Sequence, residues 1–311
     1  MSRLSTISSS PELREFAQGA AQDAIMPVAD FIAPAVEVAT SVGRYKVYTE
    51  KNRFHIPDTL RGIGGRATEL KFEASDQTYN CAPHALDYPV DNLEQTESDL
   101  ENMLKEGAVA VAEVAALAHE RNVIQGALAA VGAGTGKTWN SSADPVADLD
   151  DAIMQVIKSC KYGSLMNVGI LFGAAAWAIF KNQALVRNRF VIGAGGKGAS
   201  LAVPTEDMAG QLFLGTPQVR TSYMVHDTAP EGKSESISFL LDSTVLIFAR
   251  KETPTRRDPS FMKTFRLMGQ YMVPGSYVRD DGRVEVAKFD WSEDVKVTNS
   301  AAAVRLNVST T

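Results

Sequence analysis

Two glycine-lined loops carry the side chains best suited to chemistry in this sequence, and both would act by cradling phosphate. The first is Gly132-Ala133-Gly134-Thr135-Gly136-Lys137-Thr138, whose Gly-Lys-Thr end matches a nucleotide-binding loop. That pattern needs a glycine five residues before Gly136, where Val131 stands, and it needs a strand before it and a helix after it. Here the loop follows a helix and runs into Trp139-Asn140-Ser141-Ser142. The second is Gly193-Ala194-Gly195-Gly196-Lys197-Gly198, which satisfies G-x-G-x-x-G after the apolar run Phe190-Val191-Ile192. A dinucleotide site requires a helix N-terminus to receive the pyrophosphate and an acidic residue about twenty positions on. Pro204 interrupts the first requirement and nothing meets the second, so a glycine-rich surface loop is expected.

The remaining reactive residue types do not converge. His55, His84, His119 and His226 lack the spacing of metal ligands. His119 is expected near the end of a helix, where partial positive charge suits the dipole. Cys81 and Cys160 offer neither a disulfide framework nor a repeated metal motif and read as small buried side chains. No G-x-S-x-G elbow occurs, and the adjacent Asp150 and Asp151 point to different sides of a helix. We therefore expect no catalytic residue, cofactor or metal, with a nucleotide-binding enzyme built on loop 132–138 or 193–198 as the rival reading.

The elements themselves point elsewhere. Ser-rich residues 1–10 lead to a helix start at Ser10-Pro11 and then to an extended arm over 26–40, punctuated by Pro27 and Pro34. Arg44-Tyr45-Lys46-Val47-Tyr48-Thr49-Glu50 and Thr68-Glu69-Leu70-Lys71-Phe72-Glu73 alternate with period two, as strands do. Between them lies a stretch ending Arg61-Gly62-Ile63-Gly64-Gly65-Arg66. A two-stranded ribbon buries too little to be stable alone. Its face of Tyr45, Val47, Leu70 and Phe72 must find a surface, either on its own domain or on a neighbour.

A long helix follows. Ser98-Asp99-Leu100-Glu101 forms a capping box, with Asp91-Asn92-Leu93-Glu94 as an earlier alternative start. Leu100, Leu104, Ala108, Val111, Ala115 and Ala118 mark one apolar stripe, and continuation to about residue 122 gives a rod of ~36 Å at 1.5 Å per residue. Asp144-Pro145 opens another helix. Residues 167–172 read as a buried strand, 174–188 as a helix and 190–192 as a short strand. A short helix is expected at 205–213 and strands at 218–227, with a hairpin over 236–250 turning near Asp242-Ser243. Strands at 283–290 and 304–308 complete a mixed α+β chain.

At 311 residues, with 45% hydrophobic and 22% charged residues, the composition is that of a globular protein with ample core. A net charge of −6 argues against a basic shell gripping phosphates, so any nearby nucleic acid is contained rather than tightly bound. No segment approaches the ~20 uninterrupted apolar residues of a membrane span, and the first residues lack a secretory apolar region.

In this order the sequence resembles the major capsid proteins of tailed bacteriophages, a family with the Hong Kong 97 shell fold that encapsulins share. The resemblance rests on Gly43-Arg44-Tyr45-Lys46-Val47-Tyr48, Lys51-Asn52-Arg53-Phe54-His55-Ile56-Pro57-Asp58-Thr59 and Gly65-Arg66-Ala67-Thr68-Glu69. It continues through Tyr79-Asn80-Cys81 to Asp91-Asn92 and Asp144-Pro145-Val146-Ala147-Asp148, covering nearly the whole chain.

The resemblance implies an N-terminal arm at 1–40, an extended E-loop ribbon at 41–90 and a peripheral domain at 91–139 and 266–311 containing the spine helix. An axial domain at 140–265 would place its loops at capsomer centres. It implies inter-subunit contacts by Arg44, Tyr45, Lys46, Val47, Arg61, Arg66, Glu69, Leu70, Lys71, Phe72 and Glu73, and a capsomer-centre loop with Gly193, Gly195 and Lys197. The expected partner is the chain itself, as hexamers and pentamers of an icosahedral shell around double-stranded DNA. Scaffolding, portal and decoration proteins would join it, with assembly in the host cytoplasm, residence in the virion and no membrane. Lysine–asparagine cross-linking, found in some members, has no matching motif here. An encapsulin-like compartment is the alternative within the same fold.

Overall fold

The computed structural model describes residues 28–49, 59–60, 63, 65–66, 73–91, 93, 103–160, 167–189, 191–192, 200–201, 204–230, 232–256, 258–271 and 273–310. In chain order the described elements begin with α1 (Val28–Ile32), β1 (Ala35–Val38), β2 (Val42–Thr49), β3 (Glu73–Asn80) and β4 (Ala82–Asp91). The long helix α2 (Met103–Val131), β5 (Thr135–Thr138), α3 (Pro145–Cys160), β6 (Asn167–Gly173), α4 (Ala174–Asn182) and α5 (Ala184–Arg189) follow. Then come β7 (Val191–Ile192), β8 (Ser200–Leu201), α6 (Glu206–Gly210), β9 (Gln218–Ser222), β10 (Val225–Asp227), β11 (Ile237–Phe239) and β12 (Thr244–Arg250). The chain closes with β13 (Met262–Leu267), β14 (Val273–Val278), β15 (Val284–Val297) and β16 (Ala303–Ser309).

Two five-stranded sheets organise these elements. One has the order β1-β13-β15-β14, with β4 also pairing β15; the other has the order β5-β16-β12-β6-β9. In the second, Thr-Val-Leu-Ile-Phe-Ala-Arg of β12 and Asn-Val-Gly-Ile-Leu-Phe-Gly of β6 are buried along nearly their whole length. Continuous apolar runs of this kind form strands covered on both faces. Helix α3 lays Val146, Leu149, Ile153 and Val156 against them, as its apolar spacing predicts. Asp144 caps that helix through the Val146 N–H at 3.2 Å. Phe180 of α4 centres an aromatic cluster with Phe172, Trp177, Phe213 and Trp139, ring centroids 5.2–6.1 Å apart.

Several expectations need correction. The stretch expected as an extended arm folds into α1 and β1 from residue 28 onward, and β1 runs parallel to β13 with Ala35 opposite Thr264. Val28, Ala29, Phe31 and Ile32 recur on one helical face and are buried in the main core. Pro34 ends the helix without preventing the strand. Phe31 stands edge-on to Phe248 at 5.3 Å, with the Arg220 and Arg250 guanidinium groups 5.1 and 4.6 Å from its ring centre.

Residues 236–250 do not form a hairpin, because β11 pairs β10 while β12 enters the large sheet beside β6 and β16. The strand β16, within the 266–311 segment, pairs β5 of the 91–139 segment on one side and β12 of the 140–265 segment on the other. The helix expected over 174–188 is broken at Gln183, whose amide donates to the Asn140 and Ala143 carbonyls.

The first phosphate-loop lookalike resolves into strand structure. Lys137 lies in β5 and donates to Asp148 at 2.6 Å, so its charge is engaged by a carboxylate of its own chain. The glycine-rich stretch 193–198 lies outside the described residues, but β7 and β8 on either side of it pair antiparallel. A strand therefore follows where a dinucleotide site requires a helix.

Deep under the β12–β13 connection, Lys263 and Asp258 pair at 3.2 Å with 1% and 2% of their side chains exposed. Lys263 also donates to the Thr255 and Asp258 carbonyls at 2.7 and 2.6 Å. Burial pushes the Asp258 carboxyl upward, but Lys263 and the Ser260 and Thr255 hydrogen bonds outweigh it and hold it below the usual range. This satisfied pair ties the connection down; removal of one partner would strand a buried charge.

The arm residues are structural, and Phe31→Ala tests it. We predict a loss of about 3–5 kcal/mol in urea unfolding of dispersed subunits. An unchanged unfolding midpoint would refute the assignment of residues 28–38 to the core.

Candidate inter-subunit surface

The ribbon that the sequence singles out is built from β2 and β3, antiparallel from Val42 opposite Asn80 to Thr49 opposite Glu73. The described return strand thus lies beyond the expected 68–73, sharing only Glu73 with it. Arg44, Ser75, Asp76, Gln77 and Thr78 are exposed, so the ribbon is polar over most of its described surface. Its foot is not. Tyr79 stacks on Phe265 at 4.7 Å and 15°, and Tyr45 packs on the same ring at 5.3 Å. Val36, Val38 and Cys81 complete this small core, with Val47 against its edge.

Gly43 lies opposite Tyr79, and a Cβ there would collide with the tyrosine ring, so glycine lets the aromatic side chain cross over the strand. Thr40 Oγ1 and the Tyr79 hydroxyl are 3.2 Å apart, and the Asn80 N–H donates to Asp294 at 2.7 Å. Burial, with Asp294 second, pushes the Tyr45 phenol above its ordinary pKa. The Cys81 thiol donates to the Phe265 carbonyl at 3.4 Å, and burial followed by Asp294 and Glu293 raises it as well. Cys81 is therefore a structural thiol.

From the foot, β4 continues along β15 over ten paired positions, from Ala82 opposite Glu293 to Asp91 opposite Val284. Helix α2 lies across these strands, its Ala108, Val111 and Phe289 forming one contact and Ala112, Ala115 and Trp291 another. Its small residues permit the close approach. Gly107 is needed because a Cβ there would strike the Tyr88 ring. The expected stripe holds at Ala108, Val111 and Ala115, but Ala118 is exposed and His119 takes the next buried position.

His119 is not near the helix end, since α2 runs to Val131. Its Nδ1 donates to Glu293 at 2.8 Å, and Arg266 lies 3.5 Å from the other Glu293 oxygen. Arg266 also approaches Asp30 of α1 at 3.5 Å and stacks over Tyr271 at 3.9 Å. Burial pushes the Glu293 carboxyl up, but His119 and Arg266 outweigh it and keep it below the usual range. Beside this network Glu120 is only 2% exposed. Desolvation raises its pKa to about 8 despite backbone hydrogen bonds from Ala29 and Val28, and Asp30 adds to the rise. Four elements, α1, α2, β13 and β15, thus meet at one buried polar junction.

Comparisons with known proteins agree with this architecture. No protein-family profile matches the chain. A stretch of 75 residues is 32% identical to a major capsid protein of Pseudomonas phage JBD67, spanning 24% of this chain and 23% of that relative. A phage-related protein of Bordetella bronchiseptica RB50 has a similar structure, with TM-score 0.69, 17% identity and 97% of each chain covered. The capsid structure of cyanophage P-SCSP1u aligns with TM-score 0.57 and 11% identity, over 90% of this chain and 87% of that one. An encapsulin of Synechococcus elongatus aligns with TM-score 0.54 and 13% identity, over 91% and 88%.

The chain has the Hong Kong 97-type capsid fold.

Against this capsid fold, the residues expected to contact neighbours divide. Arg44 and Arg66 are exposed, and Lys46 and Glu73 occupy strand positions opposite Asp76 and Thr49. Tyr45 and Val47 lie against their own chain. Tyr45 is buried on its own chain's Phe265 and Val47 packs on the same cluster, because the foot of the ribbon lies over the body rather than beyond it. Arg61, Glu69, Leu70, Lys71, Phe72, Gly193, Gly195 and Lys197 lie outside the described residues. Sequence reasoning missed Tyr79, Phe265 and the Arg266–Glu293–His119 network. Only the glycine opposite a tyrosine could have hinted at the first.

The pH dependence of the junction follows from Glu120. An acid whose folded pKa lies above its unfolded value of 4.5 holds its proton longer when folded. Stability is therefore full below the unfolded pKa and declines as pH rises to about 8, by an amount on the order of 5 kcal/mol. Glu120→Gln should flatten this decline in unfolding measurements between pH 5 and 8. Equal slopes for both proteins would show that the carboxyl does not hold its proton in the fold.

Proposed function

We propose that this chain is the major capsid protein of a tailed bacteriophage and assembles into the icosahedral shell around its double-stranded DNA. The observation that carries this reading is the conjunction of a capsid fold over the whole chain with a stretch 32% identical to a phage major capsid protein. A ribbon whose foot packs on Phe265 and which exposes Arg44, Ser75, Asp76, Gln77 and Thr78 is a part suited to meeting a neighbour. Each exposed ion pair that Arg44 or Arg66 makes there contributes only about 0–1 kcal/mol. Repetition across many copies and apolar burial at ~25 cal/mol per Å² supply the rest.

The role is structural rather than enzymatic. A net charge of −6 suits a container for DNA, since a basic wall would bind the genome and oppose its packing and release. Hexamers and pentamers of the chain would form the wall, residues 41–90 the reaching ribbon and residues 193–198 a loop at the capsomer centre. Scaffolding, portal and decoration proteins are the further partners of this reading, with assembly in the host cytoplasm and residence in the virion. An encapsulin-like compartment shares the fold; the sequence match to a phage protein favours the head.

Expression of the chain followed by size-exclusion chromatography and negative-stain microscopy tests the proposal. Rings or shells of megadalton size are expected. A small, well-folded oligomer that NAD or ATP stabilises against heat would overturn it. Uniform closed heads from this chain alone would remove the need for a separate scaffolding protein.

A further inference from the structure

The hairpin β10–β11 is built inside out. Val225 pairs with Phe239, His226 with Ser238 and Asp227 with Ile237. Alternation puts Tyr223, Val225, Ile237 and Phe239 on one face, and that face is exposed by 54, 43, 65 and 44%. The opposite face turns partly buried Met224, His226, Ser238 and Leu240 inward, with Leu240 packed on the main core. A solvent-facing strand normally shows the reverse pattern, polar out and apolar in.

The hairpin is nevertheless well organised. Its ladder extends through the Leu240 N–H to the Met224 carbonyl and the Thr228 N–H to the Ser236 carbonyl, each at 2.9 Å. Asp227 closes the turn by accepting from the Ala229 and Ser236 N–H groups at 2.8 and 2.9 Å. A preorganised apolar surface of this kind binds something.

The far end of β9, the strand that leads into the hairpin, offers a receptacle. Strand β9 runs parallel to β6, with Gly169 opposite Gln218 and Gly173 opposite Ser222. The hairpin leaves from the Ser222 end. At the Gln218 end, ~13 Å away at 3.3 Å per residue, a groove of about 490 Å³ opens between Ile157, Val168, Leu214, Pro217 and Arg250. Leu214 is half exposed there. Arg250 adds positive charge beside Glu252, while Asp227 puts a carboxylate, held ionised by its two backbone hydrogen bonds, on the hairpin's apolar face.

We propose that the exposed face of β10–β11 seats in the Leu214–Pro217 groove of a second copy of this chain. Knob and groove lie at opposite ends of β9, so they do not meet within a subunit. A two-fold pair would place both contacts between the same two subunits, whereas a head-to-tail contact leaves one knob and one groove free for the next subunit. The proposed contact is head-to-tail, which closes into a ring where the rotation between neighbours closes. This inference rests on the shell-protein reading and names the contact that would join neighbours within a ring.

Disulfide trapping tests the geometry without disrupting it. Ile237→Cys and Leu214→Cys place thiols on knob and groove, and the native Cys81 and Cys160 are buried. Air oxidation of assembled double-cysteine chain should give a ladder of dimer, trimer and higher species on a non-reducing gel. Neither single-cysteine variant should give that ladder, and an equimolar mixture of the two should stop at dimer. A double-cysteine chain that assembles but gives no ladder overturns the proposal, as does a ladder from either single variant.

A second arm uses Ile237→Asp with Phe239→Asp. With secondary structure retained, the fraction of chain in particles should fall tenfold or more, corresponding to about 1.4 kcal/mol at each contact. If wild type and variant both assemble fully, this contact is wrong and the shell reading stands. If wild type itself forms no assembly, both fall together.

Discussion

The ring of Phe265 is the point on which the β2–β3 ribbon depends. Two strands of polar sequence cannot hold a fixed direction in water, because neither their backbone ladder nor their side chains bury enough surface. Stacking of Tyr79 and Tyr45 on one buried phenylalanine gives the ribbon a rigid foot, and Gly43 makes room for it. The direction of the ribbon is thereby set by β13, which carries Phe265 and lies between β1 and β15. A neighbour meeting this ribbon would meet a preoriented arm, and the entropy of ordering the foot would already be spent within the subunit.

The same strand ties the ribbon to the rest of the body. Arg266 follows Phe265 and turns to Glu293, Asp30 and the Tyr271 ring, while His119 joins Glu293 from the long helix. Charged groups this deep are stable only because each carboxylate oxygen of Glu293 finds a cation or donor. Glu120, which lacks such a cation, keeps its proton instead. Ribbon, arm and long helix consequently share one junction, and a displacement of any of them must disturb the polar contacts of the others.

This division of labour suits a shell subunit better than an enzyme. Residues with reactive side chains are spent on structure: Lys137 on Asp148, Lys263 on Asp258, His119 on Glu293, Cys81 on a backbone carbonyl. Among the described residues, apolar surface is left open at the β10–β11 hairpin and at the groove beside the Gln218 end of β9.

Local rules carried much of this architecture in the sequence itself. The Asp144-Pro145 start with its apolar spacing announced α3, the continuous apolar run at 167–172 announced β6, and alternation announced β2, β15 and β16. The resemblance to phage capsid proteins supplied the fold. What remained hidden was every decision that depends on residues far apart in the chain. Alternation marks a strand but not its partner, so β16 beside β12 and β11 beside β10 emerged only from the assembled sheets. The two prolines of the 26–40 stretch suggested a free arm, because burial of Val28 and Phe31 requires a core supplied by β6, β9 and β12. Tyr45 likewise had an apolar face to cover, and its sequence neighbours could not say whether Phe265 or another molecule would cover it. Pairing and burial are long-range free energies, settled only when the whole chain has closed around them.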